Sequence, residues 1–107
     1  MGKSINFKFE GKEFVLEFNR KSVELLEKRG FVAEELTKQP LTYLPMLFNG
    51  AFQMHHKGVT MDTTNKILSQ LKDTTSLVSK LAEMYAEPIM ALIDDTDEKN
   101  LEWEANW

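Results

Sequence analysis

The sequence predicts an α+β fold, with an N-terminal β-hairpin packed against a mainly helical body of three to five helices. Three observations lead to this prediction. Residues 4–18 alternate apolar and polar side chains, residues 20–94 carry helical periodicity with capping residues, and residues 101–107 alternate again. The last pattern suits a third, C-terminal strand docked on the hairpin, or a strand edge that waits for a partner.

The hairpin is predicted from two short runs of large apolar residues on either side of a glycine. The residues on the inward face are Ile5, Phe7 and Phe9 in the first strand and Phe14, Leu16 and Phe18 in the second. With Gly11-Lys12 as a type II′ turn, the predicted cross-strand pairs are Phe9 with Phe14, Phe7 with Leu16 and Ile5 with Phe18. A slip of one residue would turn these side chains to solvent, so register and turn chemistry support each other.

Two helices are expected in the first half of the chain after the hairpin. Asn19 is a good N-cap for a helix from about Arg20 to Arg29. A second helix is predicted over Tyr43–His56, and only Asn49 and Gln53 are clearly polar in it. A helix this apolar is either central in the fold or pressed against a partner.

Two more helices are expected in the second half. Thr60 or Asp62 can begin a short helix that runs through Leu71, and Asp73 can cap a longer one from Thr74 to about Asp94. The inward positions of the longer helix are Leu77, Leu81, Tyr85, Ile89 and Leu92. Pro88 lacks the N–H for one intrahelical hydrogen bond and its ring crowds the preceding turn, so we expect a kink or a break there.

Length and composition indicate one domain over residues 1–107, in which the acidic, Trp-rich segment 94–107 is expected to be flexible. The opening residues lead into a strand without an apolar run, which predicts no signal peptide, no membrane contact and a cytoplasmic location. The absence of cysteine excludes disulfides, thiolate metal centres and cysteine nucleophiles. A formal net charge of −4 disfavours binding to nucleic acid.

No motif for catalysis, cofactor binding or metal binding is present in the sequence. His55 and His56 are adjacent, so on a helix their side chains point about 100° apart and cannot share one metal ion. We expect them near a helix C-terminus, where the helix dipole favours a protonated imidazole. The acidic run from Asp95 fails as a calcium loop because Asn100 stands where glycine is needed. The chain is therefore expected not to be an enzyme.

Four side chains are candidates for a protein interface. Met46 and Met54 belong to the unusually apolar second helix, where flexible methionines suit either a core or an adaptable binding surface. Trp103 and Trp107 lie close together near the end of the sequence, and tryptophan is enriched both in interface hot spots and in docked strands.

The succession of patterns resembles a known family. The segments that carry the likeness are FKFEGKEFVLEFNRKSVELLEKRGF, LPMLFNGAFQMHHKG, LAEMYAEPIMALID and EKNLEWEANW. Together they resemble the small tail assembly chaperones of long-tailed bacteriophages and prophages of Gram-positive bacteria. This resemblance implies a protein that binds and solubilises the tape measure protein, recruits tail tube subunits, self-associates, and is absent from the finished virion.

Two other functional classes stay open at this point. A small phage or prophage regulatory protein that binds a transcription factor or nucleic acid would need a basic surface patch, which the acidic balance disfavours. An enzyme would need a concave pocket with paired carboxylates of perturbed pKa. The tail chaperone hypothesis requires neither of these features, only exposed and adaptable apolar surface.

Overall fold

The computed structural model describes residues 3–93 and 101–107. The chain forms β1 (Ile5–Phe9), β2 (Lys12–Leu16), α1 (Arg20–Lys28), a 3₁₀ turn (Ala33–Glu35), α2 (Pro40–Phe52), α3 (Met61–Leu68) and α4 (Thr74–Ile93). The two strands form an antiparallel hairpin that packs against the four helices. The predicted α+β architecture is confirmed.

The hairpin turn lies one residue earlier than predicted. Glu10 and Gly11 both have positive φ, at 51° and 81°, which makes Glu10-Gly11 a type I′ turn in place of the expected type II′ turn at Gly11-Lys12. Phe7 therefore lies opposite Phe14, and Phe9 opposite Lys12. The predicted pairing is wrong by two residues, and because two is the side-chain period, the apolar residues keep the predicted face.

One hydrophobic core joins the inner face of the hairpin to the helices. Phe14 packs edge-on against Phe52 with ring centroids 5.5 Å apart, and Phe18 contacts Tyr85 in the same manner at 5.6 Å. The fully buried large side chains are Leu16, Leu26, Leu47, Phe48, Phe52, Ile67 and Leu81. The core therefore draws on β2 and on all four helices.

Helix α1 starts as its sequence predicts. The side chain of Asn19 accepts a hydrogen bond from the Ser22 N–H at 2.8 Å, and the Ser22 hydroxyl accepts one from the Asn19 N–H at 2.9 Å. This reciprocal capping box satisfies two backbone donors at the start of the helix. Val23 and Leu26 then face the core, as the periodicity requires.

Helix α2 is the most central helix, as predicted, with residues 47–52 all buried. Its bounds differ from the predicted Tyr43–His56, because Pro40 suits the first helical position and the chain turns away after Phe52. Asn49, one of the two clearly polar residues of this helix, is buried. Its amide has partners there, since it accepts from Arg29 Nη1 at 3.2 Å and donates to Thr64 Oγ1 at 3.2 Å.

Helix α4 runs as one element through Pro88, so of the two outcomes expected there, a kink or a break, the break does not occur. Leu81 and Tyr85 are buried, whereas Leu92 is 51% exposed although we expected it to face inward. Met90 and Ile93, in the last turns of this helix, are also exposed, at 59% and 68%. The end of α4 is instead a surface feature.

The C-terminal strand is not formed. Residues 101–107 belong to no strand, and the sheet in the described part of the chain has two strands. Trp103 is 83% exposed and Trp107 is fully exposed, so neither packs on the hairpin. The acidic run at residues 94–100 lies outside the described residues.

Candidate protein-binding surface

The four interface residues predicted from the sequence fall into two groups. Met46 and Met54 are half-buried: Met46 packs against the hydrophobic core, and Met54 borders a shallow groove of about 160 Å³ with Leu25. Trp103 and Trp107 stand fully in solvent. The methionines are thus largely occupied by the fold, while the tryptophans are free to meet another molecule.

A larger apolar surface lies at the end of α4 and was missed by the sequence reasoning. It consists of Ile89, Met90, Leu92 and Ile93, and we call it the α4-end surface. Met90, Leu92 and Ile93 are 59%, 51% and 68% exposed. Because successive helical residues turn by about 100°, these side chains spread over roughly half of the helix circumference. A helix end with this much apolar surface is suited to contact with a partner.

Two grooves flank the α4-end surface. The first, of about 270 Å³, lies between α1 and α4 and is floored by Val23, Ile89 and Leu92, with Arg20 and Glu24 beside them. An incoming apolar side chain would therefore meet a carbon floor with charged groups at its margin.

The second groove lies on the other side of α4. It measures about 190 Å³ and lies between α4, α2 and the 3₁₀ turn, with an almost wholly apolar lining that includes Phe31, Leu36, Leu47 and Met90. Tyr85 also lines it, and burial, with smaller effects from Glu27 and Glu34, raises the pKa of its phenol. Its hydroxyl therefore stays uncharged at neutral pH, and the groove suits an apolar ligand.

A third and wider groove lies at the opposite end of α4. It measures about 740 Å³ and lies between β1 and the first half of α4. At its margin Lys3 Nζ lies 2.8 Å from Glu83 Oε2. This hydrogen bond raises the pKa of the Lys3 ammonium and lowers the pKa of the Glu83 carboxyl, so both groups are charged at neutral pH.

The histidine pair has a structural role. His56 accepts a hydrogen bond at Nε2 from the Val15 N–H at 2.9 Å, while the His55 ring lies 2.8 Å from Glu17 Oε1. Burial, followed by the charges of Lys12 and His55, lowers the pKa of the His56 imidazole. We expected the helix dipole to favour its protonation; this is wrong for His56, because α2 ends at Phe52 and the ring nitrogen serves as an acceptor.

A metal-binding cluster and a membrane-spanning helix are both absent from the described residues. Within residues 3–93 and 101–107, no group of three or more His, Asp or Glu side chains is arranged to hold a metal ion. None of the helices in that part of the chain is both long and apolar enough to cross a membrane. The prominent surface features are thus the apolar grooves, the α4-end surface and the tryptophans.

A sequence signal for the α4-end surface did exist. The six residues Pro88–Ile93 include no charged or polar side chain, although a helix that lies on a core normally alternates apolar and polar faces. Leu92 was predicted to face inward only because its spacing from the other apolar residues of the helix fits one helical face. The absence of any polar face in this stretch would have identified the surface.

Comparison with known families places the whole chain in one of them. A family model described as a domain of unknown function, DUF5055, matches residues 1–107. Comparison with curated proteins and with solved structures finds no significant match. The family description carries no activity, so the functional inference depends on the geometry and on the sequence patterns.

Proposed function

We propose that this chain, which belongs to the DUF5055 family, is a tail assembly chaperone of long-tailed bacteriophages or prophages. In this proposal it acts in the cytoplasm of the bacterial host, where it binds and solubilises the tape measure protein and recruits tail tube subunits. It then leaves before the virion is complete. The observation that carries the proposal is the exposed α4-end surface with an apolar groove on each side.

The geometry of this surface suits a helical client. Ile89 lines both flanking grooves, so the apolar area continues from one groove across the exposed ridge of Met90 and Ile93 to the other. An amphipathic helix laid across such a ridge can place residues spaced three, four and seven apart into the two grooves. A long helical protein repeats that pattern many times, so many copies of a small chaperone can cover it.

The sequence resemblance supplies the identity of the client. The segment LAEMYAEPIMALID, one of the four that resemble tail assembly chaperones, contains all four residues of the α4-end surface. The closing segment EKNLEWEANW contains both exposed tryptophans. Surface exposure and resemblance thus coincide in two places, and both favour a protein that works through apolar contacts.

The decisive experiment is co-expression with the tape measure protein encoded beside this gene, followed by size exclusion with light scattering. We expect the tape measure protein to be insoluble alone and to co-elute with this chain when both are present. Addition of the tail tube protein to the soluble complex should give a larger assembly. Met90→Glu and Ile93→Glu, each placing a charge in the contact, should weaken co-elution by about tenfold or more.

The matched control is Ser79→Glu, which adds the same charge to an exposed position earlier on the same helix. It should leave co-elution unchanged. A correctly folded chain that never alters the solubility of the tape measure protein would overturn the proposal. Salt-sensitive retention on DNA by that same chain would instead support the regulatory alternative.

A further inference from the structure

The hairpin has one occupied edge and one free edge. Val15 donates its N–H to His56 Nε2, and Glu17 donates its N–H to the Ala51 carbonyl at 3.0 Å, so the outer edge of β2 is held by the end of α2. Opposite residues of an antiparallel pair share the same hydrogen-bonding type. Asn6 lies opposite Val15, so its N–H and C=O also point outward, away from β2.

Hydrogen-bonding type alternates along a strand with a period of two residues, so the N–H and C=O of Lys8 also point away from β2. Within residues 3–93 and 101–107, the outward backbone groups of Asn6 and Lys8 have no hydrogen-bond partner. An unpaired edge of this kind is a template on which an extended segment can add as a further strand. β1 therefore offers a free backbone edge.

The wide 740 Å³ groove lies directly beside this edge. Its floor is apolar and includes Ile5 and Phe7 from the inner face of β1 and Leu77 and Met84 from α4. A strand added to β1 would direct every second side chain toward that floor. The groove is of a size that accommodates large side chains.

The charges around the groove favour an acidic segment. Lys72 and Lys80 line it together with Asp73, while Lys3 and Glu83 at its margin pair with each other. Lys8 stands on the outer face of β1. Lys8, Lys72 and Lys80 form no ion pair with another residue in the part of the chain that the structure describes. An ammonium group at the margin can also lie over the face of an aromatic ring that enters the groove.

The chain itself contains a segment with the matching chemistry. In residues 101–107, Trp103 and Trp107 alternate with Glu102 and Glu104, and the segment carries no cation. A strand would place both tryptophans on one side and both glutamates on the other. In the structure this segment makes no strand and leaves its tryptophans in solvent.

We propose that residues 101–107 of a second copy of this chain add as a third strand to the free edge of β1. Trp103 and Trp107 point into the groove, on the same side of the sheet as Ile5 and Phe7, and the glutamates lie on the outer face beside Lys8. The pairing of opposite charges across strands and the burial of two indole rings favour this arrangement. This self-association does not depend on the identity of any client.

Intrinsic fluorescence gives a direct readout, because Trp103 and Trp107 are the two tryptophans of the chain. We expect the purified full-length chain to dimerise or assemble further with rising concentration in analytical ultracentrifugation. Its tryptophan emission should shift to shorter wavelength over the same range, as water leaves the rings. Trp103→Ala/Trp107→Ala should raise the dissociation constant at least about 30-fold.

A proline tests the edge itself. Asn6→Pro removes an outward N–H without breaking a bond to β2, and should abolish the association while far-ultraviolet circular dichroism stays unchanged. Glu13→Pro is the matched control, since it alters the opposite edge and should leave the association intact. Lys80→Glu is a second test that does not touch the strand. It reverses a charge at an exposed position of α4 beside the groove, and should weaken the association.

Mixing the two kinds of variant gives the sharpest outcome. Asn6→Pro keeps its tryptophans but has a blocked edge, and Trp103→Ala/Trp107→Ala keeps its edge but has no tryptophans. The mixture should form a heterodimer with a blue-shifted emission that neither variant shows alone. A monomer at all concentrations, whether its emission is shifted or not, or an assembly that survives both variants, would overturn the proposal.

Discussion

Replacement of Gly50 by alanine tests the close approach of α1 and α2. A Cβ atom at Gly50 would lie 2.6 Å from Leu26 Cδ1 and 2.7 Å from Leu26 Cγ. Both distances are far shorter than the 3.5–4.0 Å at which carbon atoms rest against each other. Leu26 is only 1% exposed, so its side chain cannot turn out into solvent without leaving the core. The glycine therefore lets the two helices pack closely.

The expected magnitude follows from two opposing effects. An extra methyl group in a filled core costs about 1–3 kcal/mol of unfolding free energy through displaced side chains. Alanine is favoured over glycine in a helix by about 0.8–1.0 kcal/mol, which offsets part of that cost. We expect Gly50→Ala to lower the free energy of unfolding by about 1 kcal/mol.

Urea denaturation followed by circular dichroism measures this change, and a double-mutant cycle identifies its cause. Leu26→Ala alone should cost about 2–5 kcal/mol through the cavity it leaves. In Leu26→Ala/Gly50→Ala the new methyl group enters that cavity, so the double variant should be more stable than the sum of the single effects by at least about 1 kcal/mol. A stabilising Gly50→Ala, or strictly additive effects, would refute the packing argument.

Three further predictions concern the turn, the buried amide and the histidine. Glu10→Asn should stabilise the fold by about 0.5–1 kcal/mol in urea denaturation, because asparagine tolerates the positive φ of a type I′ turn better than glutamate; an unchanged midpoint would contradict this. Asn49→Ala should destabilise by about 1–3 kcal/mol by leaving buried polar partners unpaired, and Arg29→Ala, at the exposed end of the same network, should cost less. His56 has a pKa below its ordinary value of 6.5 in the folded chain, so the unfolded chain binds more protons in the interval below 6.5. Stability should therefore fall as pH decreases from 7 through that interval, and His56→Gln should reduce the pH dependence; an equal dependence in both proteins would show that the bond from Val15 is not its source.

The hairpin illustrates how far local patterns reach. Alternation identified the strands and their inward face correctly, because a period of two is a property of the extended backbone itself. The predicted register differs from the observed one by two residues, because the choice between two adjacent turns depends on whether Glu10 adopts a positive φ. A positive φ at a residue other than glycine costs free energy. The packing of Phe7 and Phe14 on Phe52, which lies far along the chain, offsets this cost.

Less of the candidate binding surface than of the hairpin could be predicted from the sequence. The tryptophans were identified from their residue type and close spacing, and the structure leaves both exposed. The methionines of α2 were not separable from core residues by type, since the same side chain serves both purposes. The α4-end surface was missed because helical spacing shows which residues share a face, but not how much of that face another element covers.

The sequence by itself determined the α+β class, the strands, the approximate positions of the four helices, the caps at Asn19 and Thr60, and the chemical character of the closing segment. These depend on backbone periodicity, capping side chains and residue type, all of which act within a few residues. The tertiary structure decided the hairpin register, the burial of Asn49, the neutral acceptor role of His56 and the exposed end of α4. Each of these depends on which distant element lies beside a residue, and packing between elements fixes that distance.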